Sequence, residues 1–283
     1  AITVGYLYRN EKLVETSGRG PTTDGRLKPE LVAKGFAYTA SAPGTAFSTV
    51  YGSSFSAPQI AGIATLVQQK YKLQNGVLPP SSLVKAVLCN TAEDMYRKGL
   101  DYGAGFGRPD AKKAVQNIID NKFIIGNISN QNQNNHQFTL TQNADFVSIT
   151  LCWTDPAAYP LQHKILVNNV DLKLITPNND TILPWVLNPI FYQNPAQRGI
   201  DNLNNIEYVT LDSALAGTYT ILVNGTDIVT DQQQYSISYT FENNGIDIVY
   251  PDGGETLDAG ANFNVTWNTR NVEDSLSFYY SID

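Results

Sequence analysis

The residues of this chain whose types and spacing could do chemistry are Gly52-Ser53-Ser54-Phe55-Ser56-Ala57-Pro58, followed by Gln59-Ile60-Ala61-Gly62. Small hydroxyl-bearing residues form a turn there that feeds into a helix. Ala57, Ile60, Ala61, Ile63, Ala64, Leu66, Val67 and Tyr71 leave almost no polar face apart from Gln68-Gln69-Lys70. A helix apolar nearly all round is expected to be buried, with its wet end C-terminal. Pro58 fits a first turn, where its missing N–H is no loss. Ser54 then stands at or just before a helix N-terminus, where free N–H groups and the macrodipole favour a developing negative charge. That suits a nucleophilic serine whose acyl intermediate carries an oxyanion. Taken alone, the same cluster also reads as a plain N-cap.

The elements that must position such a site come next. Ala1–Tyr8 reads as a short buried strand interrupted by Gly5. Residues 17–33 read as a Gly/Pro loop with a turn at Asp24-Gly25. Beyond Gly76 and Pro79-Pro80, Ser81 is placed to cap a helix over 82–90, with Leu83, Val84, Val87 and Leu88 at helical spacing. Tyr102–Ala111 is a Gly-rich turn into a third helix, Asp110–Ile119. No Lys-Ser/Thr follows the glycines, so a phosphate-cradling loop is a weak reading.

From about Phe123 helical periodicity gives way to short alternating runs at 146–153, 170–175, 206–211, 217–223 and 235–240. Asn/Asp/Gly/Pro turns separate them, which predicts an antiparallel sandwich or jelly roll. Asp155, Asn169, Asp171, Asp201, Asn205 and Glu207 fall in its loops and strand ends and are of the oxygen-ligand types that Ca²⁺ uses. Turn residues bonding their own backbone are the competing reading. No cofactor is required otherwise. After Asn244-Gly245 a further unit begins with runs at 246–257, 263–267 and 275–280.

The serine segment resembles the Gly-Thr-Ser-Met-Ala-x-Pro motif of the subtilisin-like serine proteases (subtilases). Ser54 falls on the nucleophile, while Ser53, Phe55 and Ser56 replace the usual Thr, Met and Ala. The esterase pattern Gly-x-Ser-x-Gly is not matched, because position 56 is Ser. Residues 17–33 are similar, in register, to the subtilase segment Ser-x-Arg-Gly-Pro-x-x-Asp-Gly-Arg-x-Lys-Pro-Asp, and Arg19, Asp24 and Lys28 are expected to fix that loop rather than to catalyse. Leu88–Ala92 resembles the family's Leu-x-x-Thr-Ala, and residues 102–111 its Gly-x-Gly turn. Trp153-Thr154-Asp155-Pro156, Asn168–Leu172, Asn205–Glu207 and Gly217–Tyr219 resemble the jelly roll that follows some subtilase catalytic domains. Pro251–Glu255 with Val265-Thr266-Trp267 resembles an immunoglobulin-like module.

The resemblance implies three parts: the C-terminal part of an α/β, parallel-sheet subtilase catalytic domain at 1–122, an all-β jelly-roll domain at 123–243, and a truncated immunoglobulin-like module at 244–283. It also implies an Asp, a His and an oxyanion Asn upstream of the serine. Neither histidine stands in for the base: His136 lies in an Asn/Gln-rich linker and His163 before a strand, and both are expected at the surface. Without a base a serine hydroxyl is a poor nucleophile. The expectation is a secreted, bacterial endopeptidase acting on peptides and proteins, with this stretch inactive alone and the N-terminal part of the protease as its partner. The alternative is a non-catalytic adhesion protein, binding protein or glycan, built on a protease remnant.

Composition narrows the classes. A net charge of −7 with 16% charged residues argues against nucleic acid and anionic membranes. No run of apolar residues is long enough to span a bilayer, and Ala1–Gly5 does not resemble a signal peptide. Cys89 and Cys152 are expected as buried free thiols, and with two histidines a zinc site is improbable. The sequons at Asn127, Asn179, Asn224 and Asn264 matter only in a eukaryotic secretory pathway and receive no role.

Overall fold

A computed structural model describes residues 1–40, 46–160, 165–243, 245–251, 255–256, 260 and 262–270. β1 (Val4–Leu7) pairs in parallel with β2 (Leu31–Lys34), Val4 opposite Leu31. The loop reading of 17–33 therefore stops short, because the chain re-enters an extended conformation at Leu31. β3 (Phe36–Ala40) and β4 (Phe47–Tyr51) form an antiparallel hairpin that leads into α1 (Ser53–Asn75). α2 (Ser81–Asn90) follows, then β5 (Ala92–Glu93) paired with β6 (Arg108–Pro109), and α3 (Ala111–Ile119). Asp110 caps α3, its carboxylate accepting the Lys113 N–H at 2.9 Å.

Two expectations about the helices fail. Ser81 does not cap α2. It is the first helical residue, Pro80 is the N-cap, and the Ser81 hydroxyl instead lies 3.0 Å from that of Thr154. Nor is α1 buried all round. Only Ser56, Ile60, Val67 and Tyr71 are covered, and Leu73 is 77% exposed. The elements that reach α1 cover one stripe of it, so its other apolar residues face solvent.

The rest is strand. β7 (Phe123–Ile128), β8 (Gln133–Leu140), β9 (Ala144–Trp153), β10 (Asn169–Ile175), β11 (Thr181–Ile182), β12 (Trp185–Val186), β13 (Gln197–Arg198), β14 (Ile206–Ala214), β15 (Gly217–Asp227) and β16 (Gln233–Glu242) run in order. They build two four-stranded antiparallel sheets, β14-β9-β16-β7 and β11-β10-β15-β8, with β12 and β13 as a separate pair. Val147, Ile149, Leu151, Trp153, Tyr235 and Ile237 of the first sheet meet Leu172, Leu174, Tyr219, Ile221 and Val223 of the second in one core. β17 (Gly245–Tyr250) and β18 (Thr266–Arg270) form a further antiparallel pair. The run at 275–280 lies outside the described residues, as does part of 246–257.

His136 is not in a linker. It lies within β8, half-buried, its Nε2 2.7 Å from the Tyr235 hydroxyl. His163 lies outside the described residues.

The outer face of the β9–β16 pair is buried too. Ser148, Thr150, Cys152, Ser236 and Ser238 alternate with the core residues and are nearly inaccessible. Small side chains there let the sheet approach the helices closely. Ser82 Oγ lies 2.9 Å from Ser236 Oγ, Thr150 Oγ1 donates to Asn90 Oδ1 at 3.0 Å, and Asn117 Nδ2 donates to the Tyr239 carbonyl at 3.0 Å. Cys152, Leu187 and Ile206 complete the apolar core built by α1, α2 and α3. The helices and the β14-β9-β16-β7 sheet are therefore packed on one another through α2.

Candidate active site

Local bonds fix Ser54 from below. Gly52 holds φ 135°, ψ 164°, a conformation that L side chains rarely adopt. Its N–H donates to the Gly35 carbonyl at 2.8 Å. A Cβ on Gly35 would meet the Tyr6 ring at 2.5 Å, so the hairpin can close onto β1 only with glycine there. Ser56 Oγ then donates to the Ala33 carbonyl at 2.9 Å, and Gln59 Nε2 to the Lys34 carbonyl at 2.6 Å. These bonds seat the first turns of α1 on the C-terminal end of β2.

Ser54 is the second residue of that helix and is exposed; among the described residues its hydroxyl makes no hydrogen bond. No side chain caps α1, so the N-cap reading of the serine cluster fails. The N–H groups of Ser53 and Ser54 have no intrahelical acceptor, and together with the macrodipole they favour an anion. Pro58 is the sixth helical residue, past the first turn where sequence placed it. Lacking an N–H, it leaves the Ser54 carbonyl without its usual i+4 donor. His136 does not meet the serine in this arrangement; it is engaged with Tyr235 in the strand region.

At the start of β2 lies a buried charge cluster that sequence reasoning passed over. The Glu30 carboxylate pairs with Lys85 Nζ at 2.7 Å and closely with Lys28, and it accepts the Thr3 N–H at 2.8 Å. Its backbone carbonyl accepts the Phe106 N–H at 2.8 Å. Burial alone would raise the Glu30 carboxyl, but the charges of Lys85 and Lys28 outweigh it and hold it below the usual range. Through its side chain and its backbone carbonyl, Glu30 thus ties the residue before β1, the glycine-rich turn and α2 together. The only signal in the sequence was an acid between Lys28 and an apolar strand.

The other expected loop-fixing residues behave accordingly. Asp24 pairs with Arg26 at 2.6 Å and accepts the Thr22 hydroxyl at 2.6 Å, while the Arg19 guanidinium stacks on Tyr96 at 5.3 Å. Cys89 and Cys152 are free and buried as expected. Burial raises the Cys152 thiol to about 11 and pushes Cys89 up as well, so neither is a nucleophile at neutral pH.

Missed altogether was the aromatic surface beside the serine. Tyr38 and Phe47 stack with centroids 5.6 Å apart, and Tyr51 packs tilted on Phe36 at 5.5 Å. Tyr38, Phe47 and Tyr51 are exposed, Tyr51 three residues before Ser54. Their alternation with small residues was the available signal.

The expected metal ligands separate. Asp155 accepts the N–H groups of Val167 and Asn168 at 2.9 and 2.8 Å, and Asn205 Nδ2 donates to the Trp153 carbonyl at 2.7 Å, so both brace backbone distant in sequence rather than their own turns. Asn169, Asp171, Asp201 and Glu207 are instead buried together near the starts of β10 and β14. Among the described residues no helix is long and apolar enough to cross a membrane.

Residues 1–107 match the model of the subtilase family. The chain is 32% identical over 280 residues to the serine protease/ABC transporter B family protein tagA of Dictyostelium discoideum, covering 85% of this chain and 15% of that protein. It is 36% identical over 113 residues to the C5a peptidase of Streptococcus pyogenes, covering 36% and 10% respectively. A solved lanthipeptide protease is 24% identical with a TM-score of 0.36, covering 41% of this chain and 40% of that one. The chain thus spans about a tenth to a seventh of the length of these curated relatives. The serine motif, the loop that precedes it and the serine-protease relatives agree with the family match: residues 1–107 are a segment of the subtilase family.

Proposed function

We propose that this chain is part of a secreted subtilisin-like endopeptidase in which Ser54 attacks the peptide carbonyl. The Ser54 hydroxyl adds to the carbonyl carbon as a base takes its proton. The resulting oxyanion is met by the Ser54 N–H at the α1 N-terminus, and collapse, with the base passing its proton to the leaving nitrogen, expels the amine to leave an acyl-enzyme that water hydrolyses. The base, its orienting carboxylate and a second oxyanion donor are supplied by another part of the protease, so residues 1–283 alone are inactive.

The observation that carries this reading is the state of Ser54: exposed, unbonded, and set on an uncapped helix N-terminus by bonds from Gly52, Ser56 and Gln59. The exposed apolar residues of α1, with Leu73 at 77%, support a covering segment from the rest of the protease. We assign 1–122 to the catalytic domain, 123–243 to a jelly roll and 244–283 to an immunoglobulin-like module. The strand orders of the two facing sheets support the second assignment.

The test is peptide hydrolysis by the complete protease. Ser54→Ala is expected to lower kcat on the order of 10⁶-fold while peptide binding persists. Unchanged turnover in Ser54→Ala would overturn the assignment.

A further inference from the structure

The hairpin of β3 and β4 carries four aromatic rings on one face. Phe36 stands opposite Tyr51 in the ladder, and Tyr38 and Phe47 lie on the same side at alternate positions. The rings pair: Phe36 with Tyr51 at 5.5 Å, and Tyr38 stacked on Phe47 at 5.6 Å. The Arg9 guanidinium covers the Phe36 ring at 5.4 Å. The open part of the face is therefore Tyr38, Phe47 and Tyr51, which are 71%, 58% and 68% exposed. The reverse face, with Ala37, Thr39, Ser48 and Val50, has no ring. Contiguous aromatic surface left in water marks a place of contact.

Position and chemistry both bear on what makes that contact. The bond that orients the serine segment, Gly52 N–H to the Gly35 carbonyl at 2.8 Å, also closes the base of the hairpin, so the rings and Ser54 share one rigid foundation. Tyr51 stands three residues before Ser54, and Phe47 lies four residues further back along β4, about 13 Å away at the rise of a strand. An extended peptide whose carbonyl sits at Ser54 spans that distance in about four residues. Residues 35–69 carry no charged side chain, in a chain of net charge −7. A charged segment laid on the rings would lose water without gaining a partner, whereas an aromatic or proline side chain stacks. Two of the three open rings are tyrosines, whose hydroxyls stay wet while the ring is covered, as reversible contacts require. The residues that α1 leaves open, Leu66 and Leu73, are by contrast of the type that permanent cores use.

We propose that the Tyr38–Phe47 pair, continued toward the serine by Tyr51, is a second substrate contact outside the reacting centre. It takes an uncharged polypeptide segment bearing aromatic or proline residues, several residues away from the scissile bond. The proposal rests on the reading of Ser54 as the nucleophile, since that is what puts the hairpin on the path of the peptide. Contact there holds the ground state and the transition state equally, so it lowers KM and leaves kcat unchanged.

The test is cleavage, by the complete protease, of peptides that share one short cleavage core mapped beforehand on an unfolded protein. The core is extended on both sides by Gly/Ser alone, by Gly/Ser with Phe and Pro, or by Gly/Ser with Glu. The Phe/Pro extension is expected to lower KM on the order of 10-fold against the other two, at unchanged kcat. Tyr38→Ala/Phe47→Ala erases that difference, while Phe47→Tyr and, on the reverse face, Thr39→Ser retain it. Should the double variant fail to fold, Phe47→Ser alone removes most of it. No KM difference in wild type, or one that survives in the folded double variant, would overturn the proposal. So would a lowered Tm of the double variant with the KM difference intact, which would place another part of the protease on the face. A fluorescence-anisotropy titration of the labelled Phe/Pro segment, without the core, onto the complete Ser54→Ala protease separates this from the nucleophile assignment. Binding there that is lost in Tyr38→Ala/Phe47→Ala supports the contact whichever residue attacks the peptide, and its absence overturns the contact while leaving Ser54 standing.

Discussion

α1 and α2 are both apolar helices of the subtilase segment, and their surroundings differ sharply. α2 has nine of its ten residues buried, Ser82 through Asn90, whereas α1 has four of 23. α2 is the more apolar of the two, but α1 also carries Ile63, Leu66, Leu73 and three spaced alanines. Much of the difference lies in what covers each helix. α2 is held between the first core and the small-residue face of β9 and β16, while α1 touches β1, β2 and α3 along one stripe. An apolar pattern states that a face has to be covered; the covering element decides whether it is.

The comparison is broken most severely by removing the charge that anchors α2. Glu30→Gln leaves Lys85 charged and buried without a carboxylate and is expected to destabilise the fold by about 3–5 kcal/mol, read by denaturant unfolding. The same residue sets an acid limit. Its carboxyl is lowered in the folded state, so its contribution is complete above the ordinary carboxylate value and is lost as pH falls through the lowered one. Tm followed from pH 7 to pH 3 should fall more steeply for wild type than for Glu30→Gln.

Truncation contrasts the two helices directly. Leu88→Ala, at a fully buried position of α2, is expected to cost about 2–5 kcal/mol. A smaller effect is expected from Thr150→Val, which strips the donor from buried Asn90 Oδ1 at a cost of about 1–3 kcal/mol. Leu73→Ala on exposed α1 should stay within about 0.5 kcal/mol in this chain. In the complete protease the same change should cost more, if a further segment covers α1. Equal losses for Leu73→Ala and Leu88→Ala in this chain would end the contrast.

Much of this was legible in the residues. Periodicity placed α2, α3 and the five main strands within a few residues, and the motif at 52–58 placed Ser54 at a helix start. The errors have physical causes. β8 begins Gln-Asn-Asn-His-Gln, and Val223, Leu222 and Ile221 of β15 stand opposite Asn134, Asn135 and His136, so the strand gives no apolar signal of its own until Phe138. Four-residue β2 is hidden behind a proline-rich loop. Alternation in β9 read as an apolar face and a polar face, but Ser148 and Thr150 meet α2 rather than water. Sequence distinguishes small from large at such positions, not solvent from helix. For the oxygen-ligand types, composition gave six candidates, and only the fold separates the buried group from Asp155 and Asn205, which brace backbone distant in sequence.

The central claim is that Ser54 is a nucleophile completed by residues elsewhere in the protease. It is tested most directly by fluorophosphonate labelling with peptide-level mass mapping, on the complete protease and on residues 1–283 side by side. The account predicts a single adduct at Ser54 in the complete protease, none in its Ser54→Ala variant and none on the isolated stretch. An adduct at another serine of the active protease, or labelling of the isolated stretch at Ser54, would contradict it.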